Sequence, residues 1–351
     1  GYSLKSHCKY QKKSISSPAV IKESKMTVEE IIKAIAGLSE QERAQLLESI
    51  SPSQASSSSA SPRLRQLLDK QGRCPHCGGS RYYRFGRDKG AQRFRCHDCG
   101  RTFTEYTGTW QSGLHRRDLA SRYMSLMSQN KSLDKISSEL RINKKTAFDW
   151  RHKILGTFRQ DRGESFEGIV ESDETFLYES EKGSRHLKRP ARKRGGSGQK
   201  GITDKLVAVI VTADRRHSLN ITSCGAGRLT KEMVSGSLVT PLPASTTLCS
   251  DGHTSYKGYA SDIKIRHVVL RADIRQRVRQ GVYHIQHVNS MHARLKRWIR
   301  ACFCGVSTKY LQNYLNWFKV IETNLKFKKD VNKAMMELSM IGENVLFATE
   351  I

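Results

Sequence analysis

Three groups of residues in this 351-residue chain have types and spacings that can do chemistry. Cys74 and Cys77 form one CxxC pair, Cys96 and Cys99 a second, each followed by glycine, with eighteen residues between the pairs. Two thiolates two residues apart grip one ion from a tight turn, and two such turns complete a tetrahedral zinc site of four thiolates. Four cysteines leave no position for water, so this zinc is structural, and His76 and His97 inside the turns are bystanders. The second group is a pair of aspartates. Asp173 lies inside IVESDETFLY, a strand-like run where a charge is costly unless paired or bound to a metal. Asp251 follows the run TTLCS and opens the turn DGHTSY, where Asp-Gly is also ordinary turn chemistry. The third group lies in QHVNSMHARLKRWIR, 286–300. There Asn289, His292 and Lys296 share one helical face beside the apolar stripe Val288, Met291, Leu295, Trp298 and Cys302. Asn289, His284, His287, Glu174 and Glu171 compete with His292 as partners for the aspartates.

These groups need elements to hold them, and the chain supplies several kinds. Sixty-one Lys and Arg against thirty-three Asp and Glu leave a net charge of +28, so a polyanion, nucleic acid first, is the expected partner. The apolar run LVAVIV, 206–211, is far too short to span a bilayer. Nine cysteines, four of them in CxxC pairs, fit reduced thiols and metal ligands in a cytoplasmic protein. Residues 1–25 are a basic tail, upstream of a natural start at Met26 or a disordered arm. Residues 26–50 carry two capping boxes and predict a helical hairpin, and 51–71 a serine-rich linker. RYYRFGR and QRFRC alternate aromatic and basic residues, as the strands of a zinc ribbon over 72–110 would. SLDKISSELRINKKTAFDWRHKIL, within 111–160, reads as helix, turn and helix. Leu133, Ile136 and Leu140 face inward, Asn143 caps the second helix, and Lys144, Lys145, Arg151, His152 and Lys153 are left to solvent or phosphate. From 165 to 325 short β-rich runs precede two helical segments, and 326–351 is expected as a tail.

The order of a CxxC ribbon, a helix-turn-helix, "SDET", "SDGHTSY", "HVNSMHARLKRWI" and "GVSTKYLQNYLNWF" resembles bacterial insertion-sequence transposases of the family numbered 1595. The likeness runs from about Met26 to Ile321. It implies a multidomain α+β protein: helical hairpin, four-cysteine zinc ribbon, helix-turn-helix, and an α/β ribonuclease-H-like catalytic domain of the DDE type. It also implies DNA strand cleavage and strand transfer with two Mg2+ or Mn2+ ions. Carried over residue by residue, Asp173 and Asp251 match the first two catalytic aspartates, and Lys296 a basic residue usual in the third-ligand helix. The third position holds His292 where many relatives have Glu, so the resemblance implies a DDH arrangement.

Double-stranded DNA is then the expected partner, as the element's terminal inverted repeats and as target, with self-association on DNA and a place in the bacterial cytoplasm at the nucleoid. The loop 182–200 carries eight Lys or Arg. Among them Arg185, Lys188, Arg189, Arg192, Lys193 and Arg194 are expected to track phosphates. A catalytically silent DNA-binding regulator and a metal-dependent nuclease are the competing functions, and strand-transfer products separate all three.

Overall fold

A computed structural model of the chain describes Gly37, Ser39 and residues 72–158, 165–187, 189–190, 201–238, 241–271 and 274–341. The basic tail, the linker, Lys188, Arg192, Lys193, Arg194 and, apart from Gly37 and Ser39, the expected hairpin lie outside the described residues.

Strands β1 (Tyr82–Asp88), β2 (Ala91–Cys96) and β3 (Thr102–Thr104) form an antiparallel three-stranded sheet. Lys89 and Gly90 join the first two with positive φ at both (47° and 84°), the backbone of a tight hairpin that matches strand twist. Phe94 and Phe103 stack beneath the sheet, with Cys74 and Cys96 buried beside them.

Helices α1 (Ala120–Ser128), α2 (Leu133–Leu140) and α3 (Lys144–Thr157) follow. Ser132 caps α2 and Asn143 caps α3 by accepting from Lys135 N and Lys145 N. Between them Arg141 adopts the left-handed conformation (φ 52°, ψ 45°) where glycine is the usual choice. A helix-turn-helix therefore closes without glycine.

The remaining elements are β4 (Ile169–Tyr178), β5 (Leu206–Asp214), β6 (Leu219–Ala226), α4 (Lys231–Ser237), β7 (Thr247–Ser250), α5 (Thr254–Asp262) and β8 (Arg266–Val269). Then come α6 (Gln286–Trp298), a π-helical turn Ile299–Phe303, α7 (Leu311–Lys326) and α8 (Val331–Ile341). The five strands form one sheet ordered β6-β5-β4-β7-β8; β4, β5 and β6 are antiparallel neighbours, and β7 and β8 run parallel to β4. Three meandering strands followed by two parallel ones, with helices on both faces, is the ribonuclease-H-like arrangement. Residues of β5 alternate between two cores: Val207, Val209 and Val211 pack on α6 and α7, and Ile210 packs on α4 and α5. Burial on both faces is why LVAVIV is continuously apolar.

Two expectations about the helices change. Residues 331–341 are no tail: α8 places Met335 in the helix-turn-helix core, and Trp110 Nε1 donates to Ser339 Oγ at 3.1 Å. That core, built on Tyr123, Met127, Ile136, Trp150 and Ile154, also takes Tyr314, Trp317 and Ile321 from α7. The opposite side of α7 (Leu311, Leu315 and Phe318) packs on the five-stranded sheet. The helical module and the sheet thus share one helix, and the boundary expected near 160 is not a boundary of packing.

Candidate catalytic metal centre

Strand register brings the aspartates together. In the parallel β4–β7 pair Ile169 faces Thr247 and Glu171 faces Cys249, an offset of 78 residues (247 − 169 and 249 − 171). Asp173 and Asp251 are separated by the same 78, so extending the ladder two residues past Glu171 sets one carboxylate beside the other. The β7 pairing stops there, and β4 continues with β5 on one side alone. Past this stop, acidic side chains on either face of β4 can reach the open edge. Ligand oxygens of Asp173, Glu174 and Asp251 all lie within 4.8 Å of one another.

Gly252 makes the turn that follows. Its φ is +92°, and an added Cβ would stand 2.6 Å from Val269 Cγ1 of β8, so the glycine is required by the neighbouring strand and by the backbone. Asp251 Oδ1 accepts from His253 N (3.0 Å), and His253 in turn caps α5 by accepting from Ser255 N. Tyr256 is fully buried beneath the site. His253 and Tyr256 therefore belong to the turn and its support.

Helix α6 delivers the histidine. Odd-numbered residues of β4 face α6, and His292 Nδ1 lies 3.8 Å from Asp173 Oδ2. His292 is 8% exposed, and its Nε2 has no hydrogen-bond partner. Burial, then the charge of Lys296, holds its imidazole down to about 4, so it is neutral at pH 7 and offers a lone pair. Lys296 itself is exposed one turn further on. Burial, then the adjacent Glu174 and Asp251 carboxylates, pushes Asp173 up to about 8, and burial followed by Asp251 raises Glu174. Among the described residues no Lys or Arg pairs with these three acids. The half-buried Asp173 and Glu174 and the exposed Asp251, with no described Lys or Arg paired to them, form a donor set suited to divalent cations; His292 lies against Asp173 but outside the group of oxygens that approach within 4.8 Å of one another.

Of the competing donors, Glu174 joins the aspartates, and the other four go elsewhere. Glu171 is 1% exposed and receives His287 N (3.0 Å), Val288 N (3.4 Å), His287 Nδ1 (2.7 Å) and Arg215 (2.8 Å). Arg215 also meets His284 Nε2 at 3.1 Å. The guanidinium already neutralises this knot, so Glu171, His284 and His287 tie the N-terminus of α6 to β4 instead of facing Asp173. At the other end of α6, Trp298 Nε1 donates to Asn130 Oδ1 (2.8 Å) beside α1. Asn289 is exposed.

The four ribbon cysteines also converge. Sulfur separations of 3.8 Å (Cys74–Cys99) and 3.6 Å (Cys77–Cys96) match the edge of about 3.8 Å in a tetrahedron of Zn–S bonds near 2.3 Å. His76 and His97 are not part of this cluster.

The basic residues divide. Lys144 and Lys145 are exposed, with surface ion pairs to Asp134 (2.6 Å) and Asp149 (3.0 Å). Lys153 is half-buried and Arg185 exposed. Arg189 lies 3.8 Å from Glu179. Arg151 is not a surface cation: it is 1% exposed, donates to Lys131 O (2.7 Å) and lies over the rings of Phe303 and Trp317. Its planar, weakly hydrated guanidinium suits that place. His152 is buried beside it.

Two family models match the chain: a transposase zinc-ribbon domain over residues 57–102 and an ISXO2-like transposase domain over residues 165–319. A protein in the transposable element ISH50 of Halobacterium salinarum is 27% identical over 277 residues, covering 76% of this chain and 91% of that protein. Solved structures similar to the chain include a pre-cleavage Mos1 transpososome (9% identity, 62% of this chain and 76% of that chain, TM-score 0.22). A Mos1 paired-end complex with the left transposon end is another (10% identity, 61% and 78%, TM-score 0.23). The ribbon and the transposase domain, matched in chain order and together covering more than half of the residues, make this chain a member of the insertion-sequence transposase family numbered 1595.

Proposed function

We propose that the chain binds the ends of a mobile DNA element and cleaves and joins DNA strands at Asp173, Asp251 and His292. The observation that carries this reading is the shared 78-residue offset, which sets Asp251 beside Asp173 at the open edge of β4, with His292 3.8 Å away. Two Mg2+ or Mn2+ ions bound there would activate the attacking oxygen of a phosphodiester exchange and steady the leaving one. The chain's own part is to hold the three donors together with no described Lys or Arg paired to them. Lys296, exposed on the next turn of α6, is placed to meet a phosphate. No side chain attacks phosphorus, so no covalent protein–DNA intermediate forms.

DNA recognition falls to the ribbon, kept folded by structural Zn2+ on Cys74, Cys77, Cys96 and Cys99, and to the helix-turn-helix. Lys144 and Lys145 hold surface ion pairs worth little, which a phosphate can replace. Lys153, Arg185 and Arg189 extend the basic surface, with Lys188, Arg192, Lys193 and Arg194 in the same loop. The substrates are double-stranded terminal repeats and target DNA, and joining two ends calls for self-association. No described helix is long and apolar enough to cross a membrane; the bacterial cytoplasm, at the nucleoid, is the setting that fits.

The test is a strand-transfer assay with labelled element ends and target DNA. Joined products are expected from the unmodified chain and from neither Asp251→Asn nor His292→Ala. Because imidazole suits Mn2+ better than Mg2+, Mn2+ should support the reaction at least as well. Tight DNA binding without cleavage under either metal would point to a regulator, and products surviving His292→Ala would move the third ligand elsewhere.

A further inference from the structure

A two-ion site brings four positive charges, and Asp173 and Asp251 return only two negative ones, because a histidine ligates a metal as neutral imidazole. The missing charge has a source on β4. Glu174 follows Asp173 directly, so strand alternation sends it to the opposite face, toward α5. It nevertheless comes within 4.8 Å of both aspartate carboxylates, because the β7 pairing has ended and among the described residues no strand pairs with that edge. Its Oε2 is buried with no hydrogen-bond partner. Beneath it the Tyr256 hydroxyl, on a side chain that is 0% exposed, lies beside Glu174 and Ser172 and completes no hydrogen bond either. His292, itself 8% exposed, meets Asp173 through Nδ1 (3.8 Å), and its Nε2 has no partner. Two buried polar atoms without partners, Glu174 Oε2 and the Tyr256 hydroxyl, thus lie at the same group of carboxylates. A side chain satisfied by its own fold would not leave them so.

We infer that Glu174 is a ligand of the divalent cations, a third carboxylate reaching around the strand edge to supply the charge that His292 lacks. The inference rests on the cleavage-and-joining reading of this site. It gives the centre three carboxylates and one imidazole, drawn from both faces of one sheet. Tyr256 is then the positioning residue: packed under Glu174, it keeps the longer carboxylate turned toward the edge.

The test reads metal uptake without DNA or turnover. Mn2+ is titrated into the full-length, zinc-loaded chain, and binding is followed by loss of the free-ion electron paramagnetic resonance signal. Glu174→Gln, which keeps shape and removes charge, should raise the Kd threefold or more, as Asp251→Asn should, with zinc content and circular dichroism unchanged. A rise of less than threefold overturns the inference. Should the Gln variant lose its fold, Glu174→Asp takes its place under the same threefold criterion, since its carboxylate stops one methylene short. The two readings fail in distinct ways. An unmodified chain that takes up no Mn2+ sinks both, whereas normal uptake by Glu174→Gln beside lost uptake by Asp251→Asn removes Glu174 alone.

Discussion

Among single residues, Gly252 governs the site at the lowest cost in atoms. Gly252→Ala adds a Cβ against Val269 and forces a left-handed backbone, so it should cost about 1–3 kcal/mol. Chemical denaturation measures this, and unchanged stability would show that the turn relaxes freely. The substitution should also displace Asp251 and lower Mn2+ affinity. Residues of this kind are legible in sequence where their type conflicts with their surroundings. A charge inside IVESDETFLY and a carboxylate after TTLCS stand out against apolar neighbours, and both meet at one edge. Glu174 is harder to single out, because alternation assigns it to the wrong face, and only the early end of β7 undoes that rule. Arg151 reads as a surface cation because it sits in a run of basic residues. Yet it lies four residues after Ala147 and four before Leu155, within the buried stripe of α3, where its stem and flat guanidinium cover aromatic rings.

Elements carry the positioning. Helix α6 has no side-chain cap of its own, since Ile285 stands at its N-cap, and Glu171 of β4 accepts from its first amides across the chain. Glu171→Gln should keep shape but weaken these bonds and leave Arg215 without its counter-charge. A loss of about 2 kcal/mol is expected, together with faster amide exchange at 287–289, while the ribbon's exchange stays unchanged. Equal protection at those amides would show that packing alone starts the helix. A second element-scale prediction concerns the seam of α3 and α7. His152 is enclosed by Phe148, Tyr310 and Tyr314, with both ring nitrogens unpartnered, and burial, then Arg151, hold its imidazole down to about 4, with Asp149 opposing. Between about pH 6.5 and pH 4 the unfolded chain takes up this proton and the folded chain does not, so stability falls as pH drops through that window and levels off below it. Full development of the effect is worth at most about 3 kcal/mol. His152→Phe should flatten the acid limb of a stability–pH curve relative to the unmodified chain; parallel curves would refute the assignment. The helix-turn-helix is readable because Ser132 and Asn143 are strong caps; α8 carries one as well, Asp330, whose Oδ1 accepts from Asn332 N (2.8 Å) and Lys333 N (3.2 Å), a signal that the expectation of a tail over 326–351 overlooks.

Over the whole molecule, excess charge and shared packing set the behaviour. With a net charge of +28 the proposed DNA binding should be strongly salt-dependent, and replacing Lys144 and Lys145 by Ala should lower the slope of log K against log salt by about 1 for each phosphate they neutralise. Ending the chain at Lys329 should expose Trp110 and open the helix-turn-helix core, seen as red-shifted tryptophan emission and a lower melting temperature. An unchanged emission maximum would mean that the core closes without α8. The strands are legible as short β-rich runs, and the ribonuclease-H-like sheet is implied by the resemblance; the sharing of α7 is not legible, because an amphipathic pattern gives a buried face and does not say which of two partners covers it. That shared helix bears on chimaeras with relatives of different end specificity. The helical module proposed to read DNA is not a contiguous cassette: its core, from Trp110 to Phe158, is shared with Tyr314, Trp317 and Ile321 of α7 and with Met335 of α8. Grafting the N-terminal half of a relative onto this chain would therefore leave Trp317 and Met335 facing a foreign core, and a working hybrid must exchange the helical module together with residues 308–341.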